Sequence, residues 1–257
     1  MGGQNGTSYK VTPDASGNWS VPVSKFDGVT NMSWMFNDCS SLTSLDLSSL
    51  NTSNVTNMSA MFASCGSLTT LDLSHFNTSK VTTMSSMFGG CYSLTTLNVN
   101  GWNTEKVTNM SWMFHNCSKL ASLDLSHFDT GNVTNMYAMF NGCYKLTSLD
   151  LSGWDVSNVT DMQLIFNCCE NLTSLDLSGW DVSNVTNMYA MFNGCYKLTS
   201  LDLSGWDVSN VTTMSSMFSC CYKLKTIRMV GCSEATINKI KAQLAYYDIT
   251  GCTIVTE

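Results

Sequence analysis

The chain has 257 residues, a formal net charge of −7, 12% charged residues, two prolines and a hydrophobic fraction of 44%. An acidic balance with no basic face argues against a nucleic-acid partner, and the apolar fraction is too high for intrinsic disorder. No run approaches the roughly 18 apolar residues of a membrane helix, so no transmembrane segment is predicted.

Met1-Gly2-Gly3-Gln4-Asn5-Gly6 has neither a charged start nor an apolar run, which excludes a secretory signal at this position, and Gly6 stands where myristoylation requires Ser or Thr. Val21-Pro22-Val23-Ser24-Lys25-Phe26 aligns with Leu71-Asp72-Leu73-Ser74-His75-Phe76 and reads as a degraded first rung. Pro22 cannot donate to a ladder, which suits an edge strand that must not recruit another chain. Residues 1–28 are therefore predicted to form an N-terminal cap.

From residue 29 onward the chain repeats. Val29 to Val211, Met32 to Met214, Phe36 to Phe218 and Cys39 to Cys221 each recur in eight copies at a step of 26 residues. A fixed period in this range is the signature of a stacked array, in which each unit buries its core against its neighbours and no domain boundary is needed. One unit reads V-T-N-M-S-x-M-F-x-x-C-x-x-L-T-x-L-D-L-S-x-aromatic, and residues 29–232 are predicted to hold eight of them. Leu42, Leu45 and Leu47 follow L-x-x-L-x-L, a strand that stacks into a parallel sheet with Thr43, Asp46 and Ser48 outward. Val55, Met58, Met61 and Phe62 fit a helical face better than alternation. The spacing thus predicts a short extended piece, then a helical turn with Ser59 as N-cap and Gly142 and Gly194 as terminators.

Residues 233–257 are predicted as a C-terminal cap. Ser233 to Tyr246 forms a helix with Ile237, Ile240 and Leu244 on one stripe, and Ile249, Cys252 and Ile254 form a final strand. Of twelve cysteines, eight share one column and read as buried thiols acting as small hydrophobes. Cys168 and Cys220 occupy the Gly142 and Gly194 column and are more exposed. Cys232 and Cys252 could bridge across the cap or stay as buried free thiols, the second fitting their columns better. The absence of C-x-x-C speaks against a structural metal.

Catalytic constellations are absent. His75 and His127 share a column but lie two rungs apart, near ~10 Å by strand spacing, and His115 lies elsewhere. No nucleophile elbow, zinc motif, phosphate loop or dinucleotide fingerprint occurs. The chain reads as a non-enzyme without a cofactor.

Function must then lie on columns that packing leaves free. Tyr92, Tyr144, Tyr196 and Tyr222 follow the cysteine, Lys145, Lys197 and Lys223 follow three of those tyrosines, and Trp34, Trp112, Tyr137 and Tyr189 precede the Met-Phe pair. Tyrosine and tryptophan dominate binding hot spots, so this row is the predicted recognition face. Asp46, Asp72, Asp124, Asp150, Asp176 and Asp202 form a second row, broken only by Asn98. It reads as a solvated row, or as a weak calcium site at Asp124, Asp150, Asp176 and Asp202 that relieves repulsion between carboxylates one strand apart. A column from Thr43 to Thr199, interrupted at Ala121, raises an ice- or mineral-facing array as a third reading.

The units V-T-N-M-S-x-M-F-x-x-C and L-T-S-L-D-L-S, running over residues 19–232, resemble the 26-residue-repeat bacterial surface proteins, relatives of the BspA-type leucine-rich repeats. The resemblance implies a right-handed, leucine-rich-repeat-like solenoid, a location on the cell surface or in the secreted fraction, an adhesive or host-contact role, and no catalytic residues. One departure stands out: Leu50, Phe76, Trp102, Phe128, Trp154, Trp180 and Trp206 occupy the column where ordinary leucine-rich repeats carry Asn or Cys. The predicted fold is an α/β repeat solenoid of about eight coils with a parallel sheet and short helical turns. The predicted function is a monomeric, non-enzymatic recognition or adhesion module for a host or neighbouring-cell protein or glycan. The alternative is a passive spacer displaying another domain.

Overall fold

The computed structural model describes Trp19, Ser20, Phe26 and residues 28–257. The chain winds as a parallel-sheet solenoid at 26 residues per coil. Strands β1 (Trp19–Ser20) and β2 (Leu45–Asp46) pair in parallel, as do β3 (Thr70–Asp72) and β4 (Thr96–Asn98). A four-stranded sheet runs in the order β5 (Ser174–Asp176), β6 (Ser200–Asp202), β7 (Thr226–Arg228) and β8 (Thr253–Val255). Its register places Leu175 beside Leu201 and Leu201 beside Ile227, so the central side chains of β5, β6 and β7 meet their repeat equivalents and are buried.

The sheet is not continuous. Between Asn98 and Ser174 no strand is formed, and Leu123 and Leu149 are only half-buried there. A second ladder on another side of the coil does run unbroken, with single parallel bridges linking Asn31, Asn57, Thr83, Asn109, Asn135, Asp161, Asn187 and Thr213 in turn.

The stretch expected as a helical turn is built differently. In the first full coil, the N–H groups of Met32, Trp34, Phe36 and Asp38 donate to the carbonyls of Asn57, Ser59, Met61 and Ala63 on the next coil, at 2.8 to 2.9 Å. Met35, Asn37 and Cys39 donate instead three residues back. Every second amide therefore bonds between coils, where a helix would bond within itself. The geometry requires two left-handed residues per coil, such as Trp34 (φ 62) and Asp38 (φ 61), and Ala60 (φ 53) and Ser64 (φ 60). Ser59 is not a helix cap; its own N–H is bonded by the side chain of Asn57 at 2.8 Å. Gly142 does take positive φ, as Asp38, Ser64, Asn116, Cys168 and Cys220 do in the same column, and what favours glycine here is the Asn116 side chain, whose Oδ1 would lie 2.1 Å from a Cβ.

The Val, Met, Phe, Cys and Leu columns form one core along the stack. Phenylalanine rings from Phe36 to Phe218 lie face to face at 5.3 to 5.8 Å between successive coils. Such ring pairs each add about 0.5–1.5 kcal/mol beyond area burial. At the start of the array, β1 places Trp19 opposite Leu45, two residues earlier than an alignment through Val21 expects. Phe26 then lies three residues before Val29, as Thr78 lies before Val81, and not in the aromatic column. Val21 to Lys25, including Pro22, lie outside the described residues.

At the other end, α1 (Glu234–Tyr246) begins at Ser233, whose side chain accepts the Thr236 N–H, and buries Thr236, Ile237, Ile240 and Leu244. Its side chains take the place of a further coil. Val208 N–H reaches Thr236 Oγ1 at 3.4 Å, Ser216 N–H reaches the Tyr247 hydroxyl at 2.8 Å, and Lys239 Nζ donates to the Val208 carbonyl at 2.9 Å. Amides and carbonyls that earlier coils satisfy against their successor are thus closed by the cap.

Candidate functional site

The acidic row is engaged in turns. In each coil the Asp carboxylate accepts the N–H of the serine two residues on: Asp124 with Ser126, Asp150 with Ser152, Asp176 with Ser178 and Asp202 with Ser204, at 3.0 to 3.1 Å. Asn98 does the same for Asn100, which is why it can interrupt the row. The Ser126 hydroxyl and then its amide hold the Asp124 carboxyl below the ordinary range, and Ser152 acts likewise on Asp150, outweighing the opposing push from Asp124. Arg228 closes the row with a 3.4 Å contact to Asp202. Among the described residues no group of three or more His, Cys, Asp or Glu side chains is arranged to hold a metal ion. The threonine column is also committed to the coil: Thr95 and Thr199 donate their hydroxyls to the carbonyls of Thr69 and Thr173, at 3.0 and 2.9 Å.

The histidines and cysteines that a search for catalysis singles out have structural partners. Where the aromatic column holds tryptophan, the indole N–H donates to a carbonyl 29 residues earlier: Trp102 to Leu73 at 2.9 Å, Trp206 to Leu177 at 3.0 Å. Where it holds phenylalanine, the preceding residue is histidine, and Nε2 of His75 and His127 meets the equivalent carbonyls of Leu47 and Val99 at 2.7 and 3.0 Å. Each of these carbonyls already accepts the N–H three residues on, and His-Phe and Gly-Trp are two ways of giving it a second donor. The column cysteines do the same on another side. Cys65 through Cys221 donate S–H to the Phe carbonyl of the previous coil at 3.0 to 3.3 Å. Burial pushes the thiols of Cys65, Cys143 and Cys221 up to about 12, so they stay protonated and poorly nucleophilic. All twelve cysteines are free, Cys232 bonding the Leu203 carbonyl at 3.3 Å instead of bridging to Cys252.

The exposed aromatics remain. Tyr92, Tyr144, Tyr196 and Tyr222 are all exposed, as are Lys145, Lys197 and Lys223. Tyr196 and Tyr222 stack at 6.3 Å even though they are exposed, and Lys197 Nζ reaches Asn171 Oδ1 at 2.6 Å. Tyr144 lies two coils before that pair. Toward the N-terminus, Trp34, Tyr92 and Trp112 line one cleft of about 310 Å³ together with Ala60, Ser86 and His115. The free columns therefore form two groups, an aromatic cleft over the first coils and a Tyr-Lys ridge over the last. Sequence reasoning named the rings but missed the floor of the cleft and His115. The signal was present, because Trp34 and Trp112 stand three periods apart with Ala60 and Ser86 between them.

The family model described as "Mycoplasma protein of unknown function, DUF285" matches residues 13–119, 93–175 and 147–236. Among curated proteins none matches. Similar solved structures include a leucine-rich repeat protein from Bacteroides ovatus, with 18% identity over 89% of this chain and 64% of that one, TM-score 0.42. Another is a leucine-rich repeat protein from Leptospira interrogans, with 16% identity over 83% of this chain and 60% of that one, TM-score 0.40. A leucine-rich cell surface protein from Faecalibacterium prausnitzii shows 14% identity over 97% and 93%, TM-score 0.29. The chain spans less than two thirds of the first two of these structures.

Proposed function

This chain belongs to the DUF285 family, and we propose that it is a non-enzymatic recognition module, displayed at or outside a cell surface, that binds a host or neighbouring-cell protein or glycan through its exposed aromatic row. The observation that carries this reading is the contrast between columns. Positions that packing demands hold nearly the same residue in every coil and are buried, whereas Tyr92, Tyr144, Tyr196, Tyr222 and Trp34 place large apolar surface in water. Tyrosine and tryptophan are the side chains that most often carry binding energy, and basic neighbours at Lys145, Lys197 and Lys223 add polar donors to the rim. Support also comes from the engagement of His75, His127 and the column cysteines in hydrogen bonds to backbone carbonyls, a structural use of those groups. No helix among the described residues is long and apolar enough to cross a membrane.

The test is a combined glycan and host-protein array, probed with the wild-type chain and with Tyr144→Ser, Tyr196→Ser and Tyr222→Ser together. A ligand whose binding falls at least about tenfold in the triple variant, with the thermal transition unchanged, supports the reading. A passive spacer, favoured by the near-identity of the coils, predicts no ligand on either array.

A further inference from the structure

Trp34 and Trp112 share a column in which the other coils carry Ala60, Ser86, Ala138, Leu164, Ala190 and Ser216, all at positive φ. In five of these six coils packing is served by a methyl or a hydroxymethyl group, in the sixth by Leu164, and in none does it ask for an indole. The left-handed backbone is common to all eight coils, so what sets Trp34 and Trp112 apart is the size of their rings and not their φ. Trp34 (φ 62) also leaves 61% of its surface in water, and Trp112 (φ 60) is half-buried. Both indoles line the same cleft.

The cleft is shaped by what lies between them. Ala60 and Ser86 bring the column down to a low floor, and Gly89 and Gly90 keep it open. The indoles stand three coil steps apart, roughly 17 Å by the spacing of the stacked phenylalanines of the same coils. Tyr92, 51% exposed, projects over Gly66, where a Cβ would come within 3.3 Å of its ring. Trp112 is braced by the edge of His115 at 4.5 Å and by Tyr137 at 4.9 Å. Among the described residues no charged side chain lines the cleft, although the chain carries a net charge of −7. Its polar groups are neutral: the Asn37 and Asn116 amides and the imidazole of His115, which burial keeps below its ordinary range despite the opposing Asn141 carbonyl.

We propose that the Trp34–Trp112 cleft binds a neutral oligosaccharide, with successive pyranose rings laid against Trp34, Tyr92 and Trp112 and with hydroxyl groups bonded by Asn37 and Asn116. Sugar rings present C–H faces that suit the electron-rich faces of aromatic rings, while their hydroxyls need neutral donors and acceptors at the edge. An acidic glycan would find no cation here to offset its charge. This assignment rests on the recognition reading above and names the ligand class for one part of that face.

The experiment is calorimetric titration of the full chain with maltohexaose, cellohexaose, mannohexaose and chitohexaose at up to millimolar concentration, with hexagalacturonate as the acidic comparison. Trp34→Ala and Trp112→Ala are the informative variants, because alanine already occupies their column at Ala60, Ala138 and Ala190 and the coil tolerates it. At least one neutral hexasaccharide is expected to bind, each variant to weaken it by about tenfold or more, and the double variant to abolish it, with the melting transition unchanged. Silence from all four neutral sugars, preference for hexagalacturonate, or unaltered affinity in both variants would overturn the assignment. A protein ligand on the array that depends on Tyr144, Tyr196 and Tyr222, with no neutral sugar bound, leaves the recognition reading standing and removes this one.

Discussion

The first half of the stack and the second solve the same corner differently. Thr52, Thr78, Thr104 and Thr130 are buried three residues before the column valine, whereas the later coils place Val156, Val182 and Val208 there. The Thr78 hydroxyl donates to the Asn103 carbonyl and accepts the Asn103 N–H, both at 2.8 Å, tying one coil to the next. Valine fills the same volume with a methyl and makes neither bond. The aromatic column changes in parallel: Phe76 and Phe128 with their histidines alternate with Trp102 early on, while Trp154, Trp180 and Trp206 run uninterrupted late. A polar tie and an apolar fill thus coexist in one architecture, because a buried group needs only that its own hydrogen-bonding capacity be met.

If the two halves differ only at such columns, deep core truncations should not distinguish them. Phe62→Ala and Phe192→Ala are each expected to cost about 3–5 kcal/mol by denaturant unfolding, and a large inequality between them would break the comparison. Exchanging the corner residues should be unequal. Thr78→Val strands the Asn103 N–H and carbonyl and is expected to cost about 1–3 kcal/mol, whereas Val182→Thr brings its own hydroxyl to a neighbouring coil and should cost less than about 1 kcal/mol. Equal costs would show that the hydroxyl ties are not stabilising.

The thiol column is common to both halves and should respond uniformly to pH. Cys65 and Cys221 are both pushed from 9.0 up to about 12, chiefly by burial. A neutral folded thiol whose unfolded counterpart ionises contributes stability that is complete below about pH 9 and is lost as pH rises from there toward 12. Stability should therefore decline across that window in wild type and less steeply in Cys143→Ala. Maleimide labelling near neutral pH should reach Cys168 and Cys220 while sparing the buried column cysteines.

The smallest expected effect concerns the histidine. His127→Ala withdraws the second hydrogen bond to the Val99 carbonyl and should cost about 1 kcal/mol. Replacing the pair together, His127→Gly with Phe128→Trp, should recover it by importing the later coils' indole. Failure of that rescue would mean the two caps are not interchangeable.

Much of this was readable from residues. The 26-residue step fixed which columns are buried, and the helix after Ser233 was visible in its stripe of Ile237, Ile240 and Leu244. The turn around Ala60 was not, because a helical face and a strip bonded to its neighbour bury the same Val, Met and Phe positions. Nothing about alanine or cysteine announces a left-handed residue. The interruption of the sheet at Leu123 and Leu149 was equally hidden, since their sequences match those of paired strands. His75 and His127 carried a legible signal that pairwise reading catches and column reading does not: histidine appears in that place only when the next residue is phenylalanine. The Tyr-Lys row and the two tryptophans were found by their variability, but the cleft between Trp34 and Trp112 depended on how small the intervening residues are in three dimensions.

The backbone of each turn is held open by its successor, as when Trp34, Phe36 and Asp38 donate to Ser59, Met61 and Ala63. A finished coil is in that sense a mould, and the next segment of chain is cast against it. Since the ties between coils recur at a fixed offset in sequence, excising or duplicating 26 residues rejoins the same donors to equivalent acceptors and creates no new kind of contact. The length of such a rod can therefore drift by recombination between near-identical units, changing how far the molecule reaches without any change in how it folds.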